Sequence, residues 1–322
     1  MVSKVSASED PILILAIDHR NSVERDLYKL GSPSPDTEAT EARITADKLL
    51  VYQALLDAVP ELPKAVRPGI LIDEKYGASV AELAARAKDE AGVALAMPIE
   101  ASGKDWLEFA YGDDWVRHAE FFPTDYSKVL VRDNPGFDPA QRTQQASRLA
   151  EVSKWATATG RSLLIELIVP ATPSENQVAG SEEQFDDGQR PADTVAVIEY
   201  LQDKGVDPAI WKVEGLDEHD NAVKIVETAQ RGGRTARCIV LGRHASQEDV
   251  DRWIRVSAPI PGWVGFAIGR TIWWDALHAH LHHFATSRET RERITRSYLA
   301  FAEYYVNARD GGPTEPFDPE YG

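Results

Sequence analysis

Residues 162–169 read SLLIELIV, seven uncharged residues around a single glutamate, Glu166. A run this apolar at consecutive positions has no polar face to show water, so it belongs in a strand covered on both sides, as in a parallel sheet flanked by helices. Seven more runs of this kind lie outward from it, at residues 12–18 (ILILAID), 69–73 (GILID), 93–98 (VALAMP), 128–132 (KVLVR), 210–214 (IWKVE), 238–242 (CIVLG) and 263–269 (WVGFAIG). Each is followed by a helix-like stretch, the signature of repeated βα units. Eight units fit a closed (β/α)8 TIM barrel in the α/β class; six of them alone would also make an open doubly wound sheet. No GxGxxG or GxxxxGK[ST] follows any strand, which removes the usual nucleotide-binding reason for the open form.

Helix starts are expected at Ser79 with Glu82 (a capping-box spacing), at Asp138 before Pro139, and at Ser246 before QEDV. Residues 20–36 make a long connection after the first strand, and residues 170–190 read as an acidic, glycine-containing loop with the position of a lid. One domain over residues 1–322 is expected, with the barrel at about 10–285 and an extension that holds a helix near 287–309 and a loose tail, GGPTEPFDPEYG. That extension has room to cover a neighbour in a homo-oligomer or its own barrel.

The chain has 322 residues, with 35 Lys and Arg against 52 Asp and Glu, a formal charge of −17. So acidic a chain repels a phosphate backbone, and nucleic acid is excluded as a first reading. The lone Cys238 cannot form an internal disulfide, the N-terminal residues lack the apolar core of a signal peptide, and no apolar run approaches a membrane span of roughly 20 residues. The reading is a soluble cytoplasmic protein.

In such a barrel the strand ends at the C-terminal face build the site, so charges embedded in apolar strands are informative. Asp18, Lys128, Glu166 and Lys212 are such charges, to be read either as a structural ion-pair cluster or as reacting groups. Lys212 shares a strand face with Glu214. A dry pocket and a second cation, for which Lys128 is placed, free an amine to attack a ketone. Glu166 lies between the two lysine-bearing strands, where a carboxylate can shuttle protons; Asp18 is positioned for a substrate hydroxyl, and Arg20 for Asp18 or the substrate. Gly242-Arg243 and Gly269-Arg270 end the last two strands and lead into helices, an arrangement suited to an oxyanion. The histidines of HAHLHH, residues 278–283, have no acidic partner in a metal motif and read as a packing face, as do Trp273 and Trp274.

The segments ILAIDHR, GILIDEKYG, SKVLV, LLIEL, WKVEG and GFAIGRTIWWDAL, in that order, resemble the class I, Schiff-base-forming aldolases that include tagatose-bisphosphate and sulfofructose-phosphate aldolases. The branch of inositol catabolism that cleaves 2-deoxy-5-keto-gluconate 6-phosphate is the most similar. The resemblance implies that Lys212 forms the Schiff base, with Glu166 shuttling protons, Lys128 as second lysine and Asp18 as the first-strand carboxylate. It further implies a phosphate or sulfonate at Gly242, Gly269 and Arg270, a phosphorylated sugar as partner, and no cofactor or metal. His19 departs from the glutamine of tagatose-type members, and Arg132 adds a cation at the fourth strand's exit. Arg132 is therefore a candidate for a substrate carboxylate, with an ion pair to Asp133 or the acidic loop as its structural alternative.

Overall fold

The computed structural model describes residues 10–29, 37–243 and 245–314. Every expected run forms a strand with bounds within two residues of those read from the sequence: β1 (Ile12–Ala16), β2 (Arg67–Leu71), β3 (Ala94–Pro98), β4 (Tyr126–Arg132), β5 (Ser162–Ile168), β6 (Ile210–Glu214), β7 (Arg237–Leu241) and β8 (Trp263–Ile268). They pair in parallel and in sequence order, and β8 closes on β1, giving a (β/α)8 TIM barrel. The helices are α1 (Asn21–Asp26), α2 (Thr37–Ala58), α3 (Glu74–Ala91), α4 (Trp115–Phe121), α5 (Pro139–Thr159), α6 (Pro173–Ala179), α7 (Glu182–Gly188), α8 (Arg190–Asp203), α9 (His219–Ala229), α10 (Gln247–Ser257), α11 (Arg270–Leu281) and α12 (Ser287–Asp310). None is long and apolar enough to cross a membrane.

Strand alternation divides the apolar residues between two cores. Ile14, Ala16, Leu71, Ala96, Leu164, Ile210 and Ile239 fill the barrel interior, whereas Leu13, Leu15, Ile70, Leu95, Ile165 and Val240 face outward into the larger core beneath the helices. The helices meet that core on one stripe: α10 buries Val250, Trp253, Ile254 and Ser257, at the i, i+3, i+4, i+7 spacing of one helix face. α12 packs on α2, α10 and α11. Its buried Tyr298 donates to the Leu13 carbonyl at 2.7 Å, so the helix of the extension covers its own barrel. Residues 315–322 of the tail lie outside the described residues, as do residues 30–36 of the long first connection, which begins with α1.

The Asp138 and Ser246 side chains cap α5 and α10 as expected, accepting from the Gln141 and Asp249 amides. Ser79 instead lies inside α3. The Asp73 carboxylate, leaving β2, accepts from the Tyr76 amide at 2.9 Å and starts that helix at once. The 170–190 segment is not an irregular loop. Thr172 and Glu175 form a reciprocal capping box on α6, and Ser181 caps α7.

One irregularity aims the last strand. Between Cys238↔Trp263 and Val240↔Phe266 the register slips by one residue, a β-bulge at Val264–Gly265. Val264 and Ala267 therefore both face the barrel interior although three residues apart. Gly265 has φ +147°, and a Cβ there would lie 1.8 Å from the Ile12 carbonyl oxygen. Gly265→Ala is accordingly expected to lose more than about 3 kcal/mol of stability. Gly160→Ala, at a left-handed helix end with open space around it, is expected to lose about 1–2 kcal/mol. Urea denaturation of the two variants checks the contrast.

Candidate active site

Barrel closure brings the charged strand residues to one point at the C-terminal mouth. Lys128, inward from β4, places its ammonium 2.9 Å from each of three carboxylates: Asp18 just past β1, Glu100 two residues past β3, and Glu166 on β5. The ammonium donates to Asp18 and Glu100, and Glu166 completes the ion-paired set. The second oxygen of Glu166 is 3.1 Å from Lys212 Nζ; the two residues are register partners across β5 and β6. Glu166 thus bridges two lysines, whereas Lys212 has no other carboxylate among the described residues. All five groups are buried.

The electrostatics fix the charge of the cluster around Lys128. Burial alone would lower the Lys128 value, but Asp18, Glu100 and Glu166 override it and hold Lys128 above the usual lysine range. Burial would raise Asp18, but the Lys128 ammonium, helped by His19 and Lys212, holds its carboxyl well below the ordinary range. Glu166 is lowered too, its burial outweighed by Lys128 and then Lys212. Lys128 is therefore held as an ammonium, whereas Lys212 has a single carboxylate, Glu166, beside it.

Glu100 is the charged member that the strand pattern misses. It lies beyond the last apolar residue of β3, yet continues the inward face of Ala96 and Pro98. Arg20 turns to it at 3.4 Å rather than to Asp18. Lys48 of α2 is a second omission. Buried, it donates to the Ile17 and His19 carbonyls at 2.9 and 3.0 Å and pairs with Asp73, clamping the chain on either side of Asp18. Trp273 Nε1 holds the Ala16 carbonyl at 2.9 Å.

Asp18, Glu100, Lys128, Glu166 and Lys212 floor a cavity of about 390 Å³, the size of a small-molecule site. Its wall includes all ten candidate residues: Asp18, Arg20, Lys128, Arg132, Glu166, Lys212, Gly242, Arg243, Gly269 and Arg270. Eight lysines and arginines line it against five aspartates and glutamates, so the mouth carries excess positive charge in a chain of net charge −17.

The rim cations are held differently. Arg132 donates to the Lys104 carbonyl at 3.2 Å; neighbouring Asp133 is taken by Arg142 at 2.6 Å. Arg243, left-handed at φ +41°, is engaged by Glu182, Asp186 and Glu214 at 2.6, 2.6 and 2.9 Å. Glu214 also accepts from the Val169 amide; burial raises its value against the opposing pull of Arg190 and Arg243. Arg243 thereby ties the β7 exit to α7. No residue of 170–190 lines the cavity; the β1 exit and residues 100–108 supply that wall instead. Gly269 is required where it stands, since a Cβ would come 2.2 Å from the Ala16 carbonyl oxygen, whereas one at Gly242 would meet only ordinary contacts.

Of the four histidines in HAHLHH, His278, His282 and His283 are exposed and do not form the expected packing face. His280 is turned inward, with Nδ1 3.1 Å from the Ala285 carbonyl and Nε2 3.8 Å from Asp47. Trp273 packs on the barrel, and Trp274 lies under the Arg270 guanidinium.

Removing Lys128 strands three buried carboxylates, so Lys128→Met is expected to lose about 3–5 kcal/mol. Lys212→Met leaves Glu166 paired and is expected to lose at least about 2 kcal/mol less than that. The lowered Asp18 and Glu166 values stabilise the native chain fully above the free-carboxyl range, about 4, and this contribution disappears as pH falls through the folded values. In Lys128→Met that acid-side slope is expected to flatten or reverse, which chemical denaturation across pH measures.

Among solved structures the chain resembles fructose-bisphosphate aldolase from Plasmodium falciparum, in complex with TRAP and a small-molecule inhibitor. The TM-score is 0.60 at 14% identity, over 92% of this chain and 90% of that one. The YdjI aldolase from Escherichia coli K12 matches with TM-score 0.49 and 10% identity, over 92% of each chain. At 14% identity the likeness to the Plasmodium enzyme concerns the barrel fold alone. No curated protein matches the sequence. The family described as "Uncharacterized protein conserved in bacteria (DUF2090)" matches residues 1–309, and the chain belongs to that family.

Proposed function

We propose that the chain is a class I aldolase that cleaves a phosphorylated keto-sugar acid through a Schiff base on Lys212. The observation that carries this reading is the unequal treatment of the two buried lysines. Lys128 is saturated by three carboxylates, whereas Lys212 shares only Glu166. A purely structural ion-pair cluster has no need of the second lysine, and a binding module has no need of an amine beside a proton acceptor.

Lys212 gives a proton to Glu166 and adds to the substrate ketone; loss of water from the carbinolamine yields an iminium ion. The iminium draws electrons from the neighbouring carbon-carbon bond. Removal of the β-hydroxyl proton, assisted by Glu166, breaks that bond and leaves an enamine. Release of the aldehyde, protonation of the enamine and hydrolysis return the free lysine and the ketone product. Lys128 supplies fixed positive charge beside the migrating protons, and Asp18 accepts from a substrate hydroxyl. The chemistry requires neither metal nor added cofactor.

The excess of cations around the cavity supports an anionic substrate. With phosphate at Gly242, Gly269 and Arg270, an adjacent ketone meets Lys212 and the far end of the sugar lies toward Arg132, which has no ion pair among the described residues. A carboxylate suits that guanidinium. 2-Deoxy-5-keto-gluconate 6-phosphate has this order of groups, and its cleavage gives dihydroxyacetone phosphate and malonate semialdehyde.

A coupled assay for dihydroxyacetone phosphate is expected to rank this acid above tagatose 1,6-bisphosphate and sulfofructose 1-phosphate, with activity that survives a chelator. Glu166→Gln is expected to lower kcat about 10²–10⁴-fold. Arg132→Ala is expected to lower kcat/KM for the acid by at least about tenfold. Loss of activity to the chelator would overturn the mechanism, and preference for a neutral or sulfonated sugar would overturn the substrate.

A further inference from the structure

Arg25 was not singled out by the strand pattern, yet it lines the same cavity as Arg270. The two reach it from opposite sides of the barrel seam, Arg25 from the last turn of α1 and Arg270 from the first turn of α11. They meet on one carboxylate. Asp26 accepts from Arg25 Nε and Nη2 at 2.6 and 3.2 Å and from Arg270 Nη2 at 3.2 Å. Asp26 is not part of the cavity wall, so it holds the two guanidiniums from behind and offsets their mutual repulsion. The Arg270 guanidinium lies over Trp274, 4.7 Å from the ring centroid, and its Nε is buried without a partner. The Arg25 side chain is 73% exposed, so its guanidinium is open to a ligand while Asp26 holds it from behind.

We infer that Arg25 and Arg270 form a two-arginine fork for the terminal group of the substrate, and that Arg25 selects a dianionic phosphate over a monoanionic sulfonate. The inference rests on the anionic-sugar reading of this cavity and deepens it by naming the charge state. Attraction to a fixed cation scales with ligand charge, so removing one arginine weakens a dianion by twice the free energy that a monoanion loses. Arg25→Gln should therefore change the ratio of the two affinities as well as their sizes. A structural role for Arg25 would leave that ratio alone.

Glycerol phosphate and dihydroxypropane sulfonate separate these cases by calorimetric titration of the full chain, because neither has a carbonyl for Lys212. Arg25→Gln is expected to weaken glycerol phosphate about tenfold and the sulfonate about threefold. Arg25→Lys, which keeps the charge, is expected to restore most of the preference. An unchanged phosphate-to-sulfonate ratio in Arg25→Gln, with phosphate still bound, would remove Arg25 from the site and leave the aldolase reading standing. A wild-type chain that binds glycerol phosphate no better than glycerol would overturn the anionic reading and this inference with it.

Discussion

The Lys128 ammonium is the point on which the site turns. Three carboxylates from the exits of β1 and β3 and from β5 converge on it. Without it they would be like charges packed in a dry interior, and each would take up a proton or draw in water. Asp18 and Lys128 lie 110 residues apart and on strands that are not neighbours; only closure of β8 on β1 lets both point into one interior. Barrel closure and the charge cluster therefore depend on each other. The same closure holds the bridging carboxylate of Glu166 against Lys212.

Around that neutralised centre the protein arranges charge by depth. The outer surface carries the acidic excess of the chain, while the cavity wall is rich in arginine and lysine. A cationic funnel in an acidic shell concentrates small anions at the mouth and disfavours extended polyanions elsewhere on the surface. Several rim arginines are already held by carboxylates, Arg243 by three and Arg270 by Asp26. Their forks are thus fixed in place before an anion arrives, which limits the ordering that binding must supply.

The barrel was legible because its strands are apolar on both faces, and Asp18, Lys128, Glu166 and Lys212 were legible because a charge interrupts such a run. Glu100 was hidden by the end of its run at Pro98, although the two-residue alternation continues to it. Lys48 and Arg25 sit in helices, where charges are ordinary and their spacing does not reveal that one is buried and the other faces the cavity. Acidic and glycine content made 170–190 resemble a loop, although TPSE carries the side chains of a capping box. The bulge at Gly265 left no more trace than a glycine in a strand, yet it determines which residues of β8 face inward. The carboxylates that hold Arg243 and Arg270, from α7, β6 and α1, come from elements distant in sequence, and no local pattern encodes them.

Two buried lysines stand beside Glu166, and covalent trapping tells which of them takes the ketone without relying on turnover. The chain is incubated with the keto-sugar acid or with dihydroxyacetone phosphate, reduced with borohydride, digested and mapped by mass spectrometry. A Schiff base on Lys212 predicts one ketone-derived adduct there, absent from Lys212→Ala and unaffected by a chelator. An adduct on Lys128, or none on either lysine while carbon-carbon cleavage proceeds, would contradict it.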